Sequence, residues 1–263
     1  MDLTPLFKHA WRDHVGIERE FTLNQNECAV PLSPSFLRCM HHLQRSLGHN
    51  PDRWAPELSA CQVEDRTVPH RRLATLRSDL ASAQNRGTRV AASIGCRLAA
   101  SEVVPHDVVR VTHPKYRHLQ ERLPENVLMA AYRVAGVHVH IGCGSLHEAV
   151  ERHDLLCDAL VELARISDHS NGERLRLYGE VLAFTMGSNA PNTIGTSPHY
   201  ESPEGWHARM RALGVEQLAS CYDLVRITSY GTVEVRIFGM TESPDEIIDW
   251  VERIHSLVGI TTI

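Results

Sequence analysis

The chain has 263 residues, a net charge of −5 and a pI near 6.4, so no basic excess marks it as a binder of nucleic acid. Hydrophobic and charged fractions of 43% and 22% suit a globular protein, and no apolar run approaches the ~20 residues of a membrane span. Residues 1–14 are polar and lack the apolar core of a signal peptide, and the seven cysteines are odd in number with no CxxC pair. Both features predict reduced thiols and a cytoplasmic location.

Apolar alternation over residues 15–23 predicts a strand. Residues 34–48 predict a helix, with Ser33 before Pro34 as its start. A loop with Gly48, Asn50 and Pro51 leads to a second strand near 58–67, and a helix follows over 70–86, ending at Gly87. Short strands are expected at 88–95 and 102–104, a short helix at 114–122 and a strand at 132–142. A long helix is expected near 145–169, carrying an apolar stripe from Leu146 to Ile166. Residues 186–206, rich in Gly, Pro, Ser, Asn and Thr, read as a long loop of the kind kept for function or left mobile. Strands at 224–229 and 232–238 flank Tyr230-Gly231, and Ser243-Pro244-Asp245-Glu246 opens a final helix with a capping box. Hairpins interspersed with helices predict an α+β fold. Its sheet is largely antiparallel, with one polar active-site face and helices packed on the other.

Four stretches place charged or His residues two apart on such strands. Residues i and i+2 of a strand share a face about 7 Å apart. Glu18 and Glu20 therefore project together, as do His138 with His140 and Glu234 with Arg236, while Ile17, Phe21, Val137, Val139, Ile141, Val233, Val235 and Ile237 face away. Two carboxylates on one face repel unless a cation lies between them or one is protonated; a solvated edge strand also accounts for a lone ExE. Glu57 and Glu64 are seven apart and would fall on opposite faces of a regular strand. Either a bulge intervenes or Glu57 precedes the strand. Gln62, Glu64 and Arg66 share a face.

In this order GIEREF, ELSACQVEDRT, GVHVHIG and TVEVRIF, together with RLPENVLMAAYRVAGVHVHIG, resemble the family-2 glutamate–cysteine ligases, or carboxylate–amine ligases, of the glutamine-synthetase-like superfamily. The resemblance covers residues 14–170 and 222–255. It implies one catalytic domain over residues 1–263, shortened at the C-terminus relative to the family, whose antiparallel sheet forms the active-site floor. By the same resemblance, Glu20, Glu57 and Glu64 would hold one Mg²⁺ (or Mn²⁺) and Glu18, His138 and Glu234 another. His140 and Arg236 would contact the phosphates of ATP, and Glu64 and Arg236 would carry catalysis. The implied reaction joins an acid, by default the glutamate γ-carboxyl, to cysteine or another small amine through an acyl phosphate. Arg66, Arg174 and Arg176 are candidate cations for the acid, with surface roles explaining them equally well. Small-molecule amino acid and amine substrates, no nucleic-acid or membrane partner and a homo-oligomeric state are expected. Two alternatives stand beside this reading: an inactive nucleotide-binding relative, and a Zn-dependent amidohydrolase using HxH, with a structural zinc at His138, His140 and Cys143 less favoured still.

Overall fold

The sheet is built around one long strand. In the computed structural model, which describes residues 3–104, 110–186, 198–218, 221 and 223–261, β1 (Val15–Gln25) spans eleven residues and alternates buried with part-buried positions through Glu20. Its β-branched and aromatic residues Val15, Ile17 and Phe21 favour the pleated surface and point into the core. There follow β2 (Cys28–Ala29), α1 (Ser33–Ser46), β3 (Trp54–Pro56), β4 (Gln62–Arg66), α2 (Leu73–Ser93), β5 (Arg97–Ala99), α3 (Arg117–Gln120), α4 (Glu125–Arg133) and β6 (Gly136–Gly142). The rest is α5 (Leu146–Asp158), α6 (Leu160–Ser167), α7 (Glu173–Met186), α8 (Pro203–Ala212), β7 (Val225–Ile227), β8 (Thr232–Gly239) and α9 (Pro244–Leu257).

Every pairing is antiparallel, in the order β3-β4-β1-β6-β8-β7, with β2 and β5 joined to β1. One core unites the inward residues of β1, β6 and β8 with apolar residues of α1, α2, α5, α6 and α9. The fold is thus the α+β arrangement that the alternation predicts. Ser243 accepts a hydrogen bond from the Glu246 amide and Pro244 opens α9, so that capping box forms as read. Gly231, at φ +72°, allows the tight turn between β7 and β8.

Several boundaries differ from expectation. The second strand is a hairpin, β3 and β4, with Glu57 in the link between them. Helix α2 runs through Gly87, and residues 88–93 belong to it rather than to a strand. A Cβ at Gly87 would lie 2.8 Å from Cη2 of the buried Trp54 and 2.9 Å from Cδ2 of Leu98, so glycine here is a close-packing residue and not a helix stop. Residues 102–104 form only an isolated bridge, Val103 to Val134. Residues 125–133, ahead of the HxH strand, are helical. The long helix expected near 145–169 is broken at Ala159 into α5 and α6. Of the expected loop 186–206, residues 187–197 lie outside the described residues, and from Pro203 the chain is helical, capped by Ser202.

Candidate functional site

The register of four strands brings the polar pairs together. Across β1 and β6, Glu18 faces His138 and Gly16 faces His140. Across β1 and β4, Glu20 faces Glu64 and Glu18 faces Arg66. Across β6 and β8, His140 faces Glu234, and the register then shifts so that Arg236 and Ile237 stand opposite His138 alone. A bulge of this kind re-aims side chains beside a site.

Glu18, His138 and Glu234 each offer one ligand atom, and the three atoms lie within 4.8 Å of one another. His138 Nδ1 is 3.2 Å from Glu18 Oε2 and 3.6 Å from Glu234 Oε1, and its Nε2 is 3.6 Å from Glu20 Oε1. Glu20 Oε2 accepts the Gly136 amide at 2.7 Å. His140 donates or accepts at Thr232 Oγ1 through Nδ1 (3.1 Å), while its buried Nε2 stands 3.5 Å from Glu18 Oε1. Glu234 is fully buried and held by two guanidinium groups, Arg226 at 2.6 Å and Arg236 at 2.5 Å. Arg236 also donates to Tyr178 Oη at 3.0 Å.

The charge balance is uneven along β1. Burial pushes Glu18 and Glu234 up, but His140 and His138 together outweigh this at Glu18, and Arg236, His140, Arg226 and His138 together do so at Glu234. Both carboxyls are held below their ordinary range. His140 is raised, because Glu234 and Glu18 outweigh its burial. At the other end carboxylates face carboxylates. Burial, then Glu20 and Glu18, push the Glu57 carboxyl up to about 8, and burial with Glu18 and Glu57 raises Glu64 well above its usual value. Oxygen-rich donors with a single imidazole suit Mg²⁺ or Mn²⁺, and a cation would relieve the crowding at Glu57 and Glu64. The residues present therefore fit a divalent metal.

Two cavities open off this cluster. One of about 610 Å³ borders Glu20, Glu57, His138 and Arg236 and is walled by Tyr116 and Tyr178. The other, of about 420 Å³, borders Glu18 and His140 and has Trp11, Val68 and Tyr230 at its rim.

The three candidate acid-binding arginines lie apart. Arg66 lines the smaller cavity, not the larger one, and donates to the Asp52 carbonyl at 2.6 Å. Arg174 borders the larger cavity but gives Nε, Nη1 and Nη2 to the carbonyls of Ala135, Ile237 and Arg236, so it serves the backbone. Arg176 is exposed and pairs with Glu180 one turn along α7, which makes it a surface residue. Cys143 does not join His138 and His140 in a metal group: it is buried beside Ile141 and Arg152, and burial pushes its thiol up to about 11. Two site residues escaped the sequence reading. Arg226 lies in Val225-Arg226-Ile227, where alternation alone marks it as the lone polar position, and it is the register partner of Glu234. Tyr178 comes from α7, and nothing in its local sequence points to Arg236.

The sequence profile of glutamate–cysteine ligase family 2 (GCS2) matches residues 14–163. A protein of Mycobacterium sp. (strain KMS), provisionally named glutamate–cysteine ligase 2-2, is 25% identical over 231 residues, which are 85% of this chain and 62% of that one. The glutamate–cysteine ligase of Haloferax volcanii is 29% identical over 181 residues, 64% of this chain and 49% of that one. The chain therefore spans less than two thirds of the length of these relatives. Among solved structures, a bifunctional glutathione synthetase from Pasteurella multocida superposes with a TM-score of 0.53 at 11% identity, over 95% of this chain and 39% of that one, a likeness of fold.

Proposed function

The chain belongs to glutamate–cysteine ligase family 2, and on that premise we propose that it is an ATP-dependent carboxylate–amine ligase. The observation that carries the reading is the convergence of Glu18, His138 and Glu234 within 4.8 Å, with Glu20 and Glu64 paired on the same sheet face. The acid, by default glutamate through its γ-carboxyl, occupies the larger cavity beside Glu20 and Glu57. The nucleotide occupies the smaller one, its base against Trp11 and Tyr230 and its phosphates toward His140.

A carboxylate does not condense with an amine in water, because oxide is a poor leaving group; an acyl phosphate supplies a better one. Divalent cations held by Glu18, His138 and Glu234, and by Glu20, Glu57 and Glu64, would neutralise the triphosphate and the charge that builds during transfer. His140, which borders the smaller cavity beside Glu18, would contact a phosphate oxygen. Arg236 adds a fixed positive charge, oriented by Glu234 and Tyr178. Glu64, as a carboxylate of the same face, would take the proton that the attacking amine must lose. A cytoplasmic location and a homo-oligomeric state belong to the same proposal, the latter checked by solution mass against the 29.5 kDa monomer.

The test is ADP release with Mg²⁺ and ATP across a panel of amino acids and amines, beginning with L-glutamate and L-cysteine. ADP release that needs both an acid and an amine supports the ligase. Metal-dependent ATP binding without such release would leave an inactive nucleotide-binding relative. Zinc retained through purification, without ATP binding, would favour the hydrolase.

A further inference from the structure

Glu20 and Glu64 are register partners on β1 and β4. Two opposed carboxyls give this register no attraction of their own. The contacts that favour it lie on the other face. One residue along, on the reverse face, Arg19 and Asp65 are register partners as well. Both side chains are 0% exposed. Arg19 gives Asp65 Oδ2 two hydrogen bonds, from Nη2 at 2.6 Å and Nε at 3.2 Å. Two further donors reach α2, at the Leu80 carbonyl (2.9 Å) and Gln84 Oε1 (3.0 Å). Asp65 is gripped from its other side by Arg53 Nε at 2.5 Å, and Arg53 in turn reaches Asp79 Oδ1 at 2.5 Å.

We propose that Arg19 and Asp65 are positioning residues for the divalent-cation site, locking β1 to β4 so that Glu18, Glu20 and Glu64 are preset as ligands. This inference rests on the metal reading above. Neither residue reaches the polar face. Each acts through the backbone, being the immediate neighbour of the glutamates on its own strand. A one-residue slip would turn Glu18 and Glu20 into the core, and a two-pronged guanidinium–carboxylate contact resists slippage more strictly than apolar packing does. Net stability alone does not explain such a pair, because apolar replacement of a buried ion pair is often neutral or stabilising. That property also separates positioning from folding in an experiment.

The full-length chain carrying Arg19→Met with Asp65→Leu is compared with the parent, by electron paramagnetic resonance of free Mn²⁺ without nucleotide and by thermal unfolding in EDTA. Arg53 keeps Asp79 as its counter-charge in this variant. The expected result is an unfolding midpoint close to the parent's and Mn²⁺ affinity lower by about tenfold or more, the usual scale for losing an outer-shell support. Arg19→Lys keeps the charge but loses the fork, and should fall between the two. Parent-level Mn²⁺ affinity in the folded double variant overturns the proposal. If the double variant does not fold, Arg19→Lys decides, and parent-level affinity there overturns it. Arg133→Met removes a buried guanidinium that pairs with Glu173 away from the carboxylate cluster, and should leave Mn²⁺ binding unchanged. An equal loss in that variant would assign the effect to general loosening and also overturn the proposal. A parent chain that binds no Mn²⁺ would sink the metal reading itself, a distinct result from parent binding that the variants leave untouched.

Discussion

Raising the pH of the cation-free protein from 5 to 6.5 should destabilise it, and Glu57 sets the scale. Its carboxyl moves from an ordinary 4.5 to about 8 in the fold, pushed by burial and then by Glu20 and Glu18. The native state therefore keeps a proton that the unfolded chain has already lost, and stability must fall as the pH rises between those two values. Linkage over that interval gives a loss of about 2 kcal/mol between pH 5 and pH 6.5 from this one group. Glu64, also raised, adds to the slope with the same sign. Glu18 and Glu234 do not interfere: their carboxyls are depressed, so their contribution is lost only as the pH drops below the ordinary carboxyl range. His140 is raised, so what it adds is lost mainly above 6.5, and the part lost below that has the same sign. The assay is urea unfolding in EDTA at several pH values, repeated with millimolar Mg²⁺ and with Glu57→Gln. The slope should shrink in both, because a cation offsets the repulsion on the ionised carboxylate and an amide has no proton to lose. A slope unchanged by Mg²⁺ and by Glu57→Gln would refute the claim that these carboxylates converge on a cation site.

Glu234→Gln should abolish amine-dependent ADP release and cost about 3 kcal/mol in denaturant unfolding, because two buried guanidinium groups lose their counter-charge; parent-like stability would contradict the ion triad. Gly87→Ala should lower stability by about 1–3 kcal/mol through overpacking against Trp54, despite the ~1 kcal/mol that alanine gains as a helix former, and a higher unfolding midpoint would contradict the close contact. Cys143→Ser should leave turnover unchanged, since a thiol pushed up to about 11 is neutral at working pH; complete loss of turnover would reopen zinc or thiol chemistry.

The polar pairs were legible because a strand has a period of two and the facing residues are apolar, so Glu18-Arg19-Glu20 could be split correctly at its glutamates. The same rule concealed Arg19. A charge at a core position looks like one more polar residue until Asp65, 46 residues on, is seen to meet it. Gly87 misled because glycine is the commonest helix stop, whereas here the missing Cβ makes room for an indole. Ala159 hid the break between α5 and α6, since alanine is the strongest helix former. The serine-capped final helix was readable because all its signals are local. Tyr178 and Arg226 were not legible, because the one meets Arg236 from a helix distant in the chain and the other meets Glu234 only through the register of a hairpin.

β8 brings Glu234 and Arg236 to a sheet whose other ligand-bearing strands precede it in the chain, and Glu18 and His138 are themselves 120 residues apart. While the polypeptide is being made, then, the half-built sheet has β6 as a bare border, and the site of Glu18, His138 and Glu234 lacks its third ligand, although Glu20, Glu57 and Glu64 are already present. Metal capture by ribosome-bound intermediates stalled at successive lengths should therefore rise in two steps, the second when β8 clears the exit tunnel and completes the site of Glu18, His138 and Glu234. The ion of that second step would thereby report when β8 has zipped onto β6, rather than guide the earlier strands into place.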